Sequence, residues 1–143
     1  MNRKSGFTLI EILIAMTIIG ILSGVVGLSV AGYLRKAKLE AARSQIKTFQ
    51  TALQMYKAAH AQLPTTAQGL EALCVEPKIP PLPKEYPPEG YLESRNLPPD
   101  PWGNPYVYLV PGRKGEPCEI ISYGSDGEEG GSGEAADISS GQF

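Results

Sequence analysis

Acidic side chains crowd the last part of this 143-residue chain. From Glu119 to Phe143 there are six acids and no Lys or Arg, and Asp126, Glu128, Glu129, Glu134 and Asp137 alternate with glycines between Gly124 and Ile138. Calcium takes about six to eight oxygen ligands, and a Gly-rich loop can turn backbone carbonyls inward beside carboxylates. The EF-hand spacing is absent, so composition leaves two readings open, a metal site or a solvated acidic loop. Near the other end, Glu11 is the one charge in an apolar run over 7–34. A lone carboxylate in a membrane helix costs roughly 2.5 to 3.5 kcal/mol on insertion scales, so Glu11 needs a partner, a function or a place at the interface. Other chemistries are poorly supplied. His60, Cys74 and Cys118 are the whole His and Cys content, too few for a Cys/His zinc site. A triad hydrolase would need His60 as its base, and His60 is assigned no chemistry.

The elements that must hold these residues are divided by proline and by charge. All 13 prolines lie at or after Pro64, so residues 1–63 can form a continuous helix, while 13 Pro and 11 Gly in 64–143 predict turns, short strands and loops. The net charge of −2 is distributed as +1 up to Leu34, +5 over 35–63 and −8 from Pro64 onward. The acidic half lacks the basic face of a nucleic-acid-binding domain, and no nucleic-acid partner is expected.

Residues 7–34 as a helix would rise about 42 Å, enough for a hydrocarbon core of about 30 Å. A secretory signal cut near Ala31 is the rival reading, but the run is too long and an h-region should not hold a glutamate. Arg3 and Lys4 precede the run and Arg35, Lys36 and Lys38 follow it, so charge alone does not orient it. Beyond it, Leu39, Ala42, Ile46, Phe49, Leu53, Tyr56, His60 and Leu63 recur at helical spacing, with Arg43, Lys47 and Lys57 on other faces. This predicts a stem over 35–63 that packs its stripe on the chain's own domain. A free coiled coil would be short for that role.

In the domain, Thr65-Thr66-Ala67-Gln68 reads as a capping box opening a short helix through Leu73. Six prolines in 77–88 predict an extended, solvent-facing loop. The β-type runs 106–110 and 119–123 read as a hairpin. Asp100-Pro101-Trp102-Gly103-Asn104-Pro105 reads as a double turn whose Trp102 packs on the sheet or stem, with Gly103 free to take positive φ.

Lys4-Ser5-Gly6 followed by Phe7-Thr8-Leu9-Ile10-Glu11 resembles the class III signal of type IV pilins and pseudopilins. The stretches 62–73, 80–83, 89–91 and 100–106 resemble, in order, the signatures of the G-type major pseudopilins of type II secretion. The resemblance implies an α+β, type IV pilin-like fold, a long N-terminal membrane-spanning α-helix packed on a small C-terminal antiparallel β-sheet domain. It implies a leader over 1–6 removed after Gly6 by a prepilin peptidase, and N-methylation of Phe7. It implies a single-pass protein of the bacterial inner membrane, with a cytoplasmic N-terminus, a membrane and assembly helix over 7–34, a periplasmic stem over 35–63 and a periplasmic domain over 64–143. Glu11 would then pair with the Phe7 ammonium of a neighbouring subunit, since two charges expensive alone in lipid are cheaper together.

The implied role is a structural, non-enzymatic subunit of a periplasmic pseudopilus that helps drive protein secretion. Its implied partners are copies of itself in a helical homopolymer, minor pseudopilins, the inner-membrane assembly platform and the lipid. A surface pilus subunit and a tethered calcium-dependent binding protein are the alternatives. The resemblance also implies one structural Ca²⁺ in the acidic loop, with Asp126 and Asp137 at its ends and Glu134 as a third ligand. Two departures stand out. Leu28 occupies the position where the family usually has a proline, and Gly20, Gly24, Gly27 and Gly32 surround it as sources of flexibility. Cys74 and Cys118 are unexpected for the family. In an oxidising compartment they can close a loop of about 45 residues, worth roughly 4 kcal/mol on the chain-entropy account, or remain buried thiols.

Overall fold

The computed structural model describes residues 6–143, apart from the side chains of 25–29. Arg3, Lys4, Ser5 and the Leu28 side chain therefore lie outside the described residues. The chain divides into two compact units, Met1–Ala37 and Lys38–Phe143.

Among the described residues, one helix, α1 (Leu9–His60), accounts for the helical turns before Pro64. Its start is set chemically by Thr8 and Glu11. The Glu11 carboxylate accepts the Thr8 backbone N–H at 2.9 Å, and the Thr8 hydroxyl accepts the Glu11 N–H at 3.3 Å. This reciprocal pair satisfies amide groups that have no partner inside the helix. The helix stops where Ala61 takes a left-handed conformation, φ 61°, three residues before Pro64.

In the first unit, the described large apolar side chains are exposed, Phe7 just before α1 and Leu9, Met16 and Ile21 on it among them. Thr17 and Ser23 donate their hydroxyls to the carbonyls of Leu13 and Ile19, at 2.8 and 2.7 Å, so these polar groups need no external partner. Among the described residues no helix is long and apolar enough to cross a membrane. The apolar run over 7–34 passes through 25–29, whose side chains are outside the described set.

In the second unit, the predicted stripe is buried. Ala42, Ile46 and Phe49 are fully inaccessible, Leu53 and Tyr56 nearly so, and Leu39 and Leu63 pack on the same cluster. They meet Leu70 and Leu73 of a one-turn 3-10 helix (Leu70–Leu73), together with Tyr106, Tyr108, Ile120 and Ile138. The Phe49 and Tyr106 rings pack edge to face at 5.1 Å.

The sheet has three antiparallel strands in the order β1 (Val107–Leu109), β2 (Glu119–Ser122), β3 (Ile138–Ser139). Tyr108 pairs with Ile120 and Ile121 with Ser139. The predicted hairpin is β1 and β2, shorter at its ends than the apolar runs. The sequence carries no sign of β3, since two residues after an acidic, glycine-rich stretch have no alternation. The capping box at Thr65 and Gln68 forms, with bonds of 2.9 and 3.2 Å; a turn follows it, and the short helix that ends at Leu73 is of the 3-10 type. The Gln68 amide also donates to the Ile79 and Pro81 carbonyls, which ties the proline-rich loop to the domain.

Candidate functional site

At the N-terminal end, Gly6 and Phe7 are exposed, and Glu11 lies one turn from Phe7. The Glu11 carboxylate takes both the N–H and the hydroxyl of Thr8, at 2.9 and 3.0 Å. Thr-x-x-Glu is itself a capping-box signature, so the sequence carries this second role of Glu11 beside its charge.

The acidic loop joins β2 to β3. Gly124 has φ +67°, and a Cβ on it would collide with the Glu134 carbonyl. That close approach brings the two arms of the loop together, and Ser125 donates to the Glu134 carbonyl at 2.9 Å. Asp126 accepts the Glu128 N–H at 3.2 Å, and Asp137 accepts the Gly130 N–H at 3.0 Å. Asp126 is exposed, whereas Glu134 and Asp137 are half-buried. Among the described residues no three His, Cys, Asp or Glu side chains are gathered as a metal group, so Asp126, Glu134 and Asp137 do not form a cluster. The donor types fit calcium: the loop offers carboxylates and carbonyls, and at Gly131 the Ala135 carbonyl occupies the space a Cβ would fill.

Two networks flank the loop. Glu119, with a side chain 4% exposed, accepts the Arg113 backbone N–H and the Nε–H and Nη2–H of its guanidinium, at 2.9 to 3.1 Å, and the Ser139 hydroxyl at 2.6 Å. The Arg113 hydrogen bonds, outweighing burial and helped by Ser139, hold the Glu119 carboxyl down to about 2. Arg113 also reaches Glu129 in the acidic loop at 2.7 Å. The sequence did carry a signal for this pair, since an acid opening an apolar strand needs a cation and Arg113 lies in the preceding turn.

The second network is built on buried Asp100. It accepts the N–H groups of Trp102 and Asn104, at 3.0 and 2.8 Å, and the Ser122 hydroxyl at 2.6 Å. Trp102 packs on the core and Gly103 has φ 95°, as expected.

The Cys74–Cys118 bridge is not formed; both are free thiols. They have different surroundings, Cys74 after the 3-10 helix beside Glu71 and Tyr86, Cys118 before β2 beside Lys57 and Tyr108. Burial pushes both thiols up, which disfavours the reactive thiolate. His60 closes the stripe with a 2.7 Å hydrogen bond to the Tyr91 hydroxyl and a ring contact to Tyr56.

A long N-terminal helix with exposed apolar residues, a stripe buried on a small antiparallel sheet, and an N-terminal Gly-Phe-Thr-Leu-Ile-Glu together define a pilin-like fibre subunit. The prokaryotic N-terminal methylation motif matches residues 1–27, and the family described as type II secretion system (T2SS), protein G, matches residues 29–141. The type II secretion system core protein G of Pseudomonas aeruginosa is 48% identical over 137 residues, covering 96% of this chain and 94% of that protein. Its namesake in Vibrio cholerae is 44% identical, covering 96% and 92%. The crystal structure of the major pseudopilin from the type 2 secretion system of enterohaemorrhagic Escherichia coli matches with a TM-score of 0.67 at 34% identity, covering 79% of this chain and 94% of that one.

The chain belongs to the type II secretion system protein G family. It is a structural subunit of the pseudopilus in protein secretion, anchored in the inner membrane and assembling with copies of itself and other components of the system. The surface pilus and the tethered binding protein that never polymerises are set aside by this membership.

Proposed function

We propose that a prepilin peptidase cuts the chain after Gly6, that Phe7 becomes its N-methylated terminus, and that Glu11 then steers each subunit into the fibre. The N-terminus faces the cytoplasm and the domain the periplasm, where the fibre meets minor pseudopilins after leaving the inner-membrane platform. The observation that carries this reading is the exposure of one large apolar residue after another from Phe7 to Leu22, with Glu11 as the one charge among them. Such surface is stable in lipid or against other copies of the same helix. Within the single chain, Thr8 satisfies Glu11 through neutral donors. A neighbour's Phe7 ammonium would offer a charge-assisted bond in a medium where an unpaired carboxylate is costly.

The same proposal includes one structural Ca²⁺ in the acidic loop, held by Asp126 and Asp137, with Glu134 contributing. A bound cation supplies charge compensation for carboxylates that otherwise repel one another. The residues themselves close the loop, through Ser125 to the Glu134 carbonyl and Arg113 to Glu129.

Mass spectrometry of the membrane form tests the processing step. Residues 1–6 should be absent and Phe7 should carry one extra methyl. An intact Met1, or a start at Gly32, would remove the proposal.

A further inference from the structure

Asp100-Pro101-Trp102-Gly103-Asn104-Pro105 lies about twenty residues before the acidic loop in sequence, yet its hydrogen bonds close a ring on the loop's first turn. Asp100 accepts the Asn104 N–H at 2.8 Å, and Asn104 accepts the Asp100 N–H at the same distance through its backbone carbonyl. The Asn104 side chain donates to the Gly124 carbonyl at 2.8 Å. The Gly124 N–H donates to the Ser122 hydroxyl at 3.3 Å, which returns to Asp100 at 2.6 Å. A carbonyl only accepts, so the Asn104 nitrogen must face Gly124. The loop also seats on the same carboxamide further along, where a Cβ on Gly127 would lie 3.1 Å from Asn104 Oδ1.

We infer that Asn104 is a positioning residue for the acidic loop: its carboxamide fixes the Gly124 carbonyl and the seat of Gly127, and thereby the placement of Asp126 between them. Neither a carboxylate nor a hydrocarbon can replace it. An aspartate would set oxygen against oxygen, and alanine would leave the carbonyl of Gly124, a buried residue, without this donor. The consequence for metal binding rests on the calcium reading, whereas the positioning does not.

Hydrogen exchange of the full-length protein in detergent, followed by mass spectrometry with and without Ca²⁺, separates the two. In Asn104→Ala and Asn104→Asp, amides 124–128 should exchange about tenfold faster than in the parent, the loss expected for one hydrogen bond, while those of β1 and β2 stay within about twofold. Gly127→Ala, which crowds the same carboxamide from the loop side, should loosen the same amides. If the parent shows a calcium-dependent melting shift, Asn104→Ala should need about tenfold more Ca²⁺ to reach it. Unchanged exchange at 124–128 would overturn the inference, and so would an equal rise across the strands, which would make Asn104 a general stabiliser. A parent whose melting ignores calcium would remove the metal reading, and the exchange result would still decide the role of Asn104.

Discussion

Ile14 and Ile46 lie on the same helix, yet Ile14 is 52% exposed and Ile46 wholly buried. Around Ile46 the apolar residues form one stripe, and the chain supplies Leu70, Leu73, Tyr106 and Ile120 to cover it. Around Ile14 apolar side chains surround the helix, and among the described residues of its own unit none of the large ones is covered. The same residue type therefore stabilises the fold in one unit and leaves a demand for lipid or other subunits in the other. A stripe folds a chain on itself, whereas an all-round apolar surface commits it to something outside.

Substitution should separate the two units most strongly at the core. Phe49→Ala is expected to destabilise the domain by about 3–5 kcal/mol in chemical denaturation, because it empties a fully buried site against Tyr106. Met16→Ala, on exposed surface, should leave that unfolding transition where it was. Equal effects would erase the contrast.

The acidic loop gives the next largest effect. Calcium that binds only the folded domain at 100 times its dissociation constant should stabilise it by about 2.7 kcal/mol, read as a higher melting temperature than in chelator. Magnesium should substitute poorly, since it demands a tighter octahedral site. Asp126→Ala and Asp137→Ala should each remove most of the shift and impair fibre assembly, whereas Glu128→Ala, with the same change in charge, should keep it. If all three behave alike, the acids form a solvated loop.

Glu119 is expected to contribute to the acid limit of the domain. Its folded-state carboxyl sits at about 2, below the ordinary 4.5, so its contribution is complete above the ordinary value and is lost as pH falls toward 2. Glu119→Gln should cost about 1–3 kcal/mol at pH 7 and flatten the decline of stability below about pH 5, measured by denaturant unfolding across pH. A variant that keeps the parent's acid limb would show that Arg113 and Ser139 do not hold the charge. The smallest effect belongs to Ala61. Glycine relieves its left-handed strain but adds freedom to the unfolded chain, so Ala61→Gly should stabilise by about 0.5–1 kcal/mol in the same measurement.

Much of this architecture was legible because it depends on period and on proline. The eight-residue stripe from Leu39 to Leu63, the helix stop before Pro64 and the hairpin all follow from spacing and breakers. The networks were not legible in the same way. Glu119 meets Arg113 and Ser139, and Asn104 meets Gly124, through side-chain bonds that span 6 to 20 residues and leave no periodic trace. Cys74 and Cys118 show the converse, since an oxidising compartment leaves bridge and free thiols both open, and it is local packing that gives each thiol its own surroundings.

The central claim is that Glu11 serves assembly rather than the fold of the single subunit, and fibre yield tests it most directly. Glu11→Val should enter the membrane at least as well as the parent, because a costly carboxylate is gone and the Thr8 hydroxyl can still cap α1. With membrane-inserted amounts matched, electron microscopy of overexpressing cells should then show few or no periplasmic fibres from the variant. Fibres at the parent's yield would contradict the account and leave Glu11 with no role beyond its capping bond to Thr8.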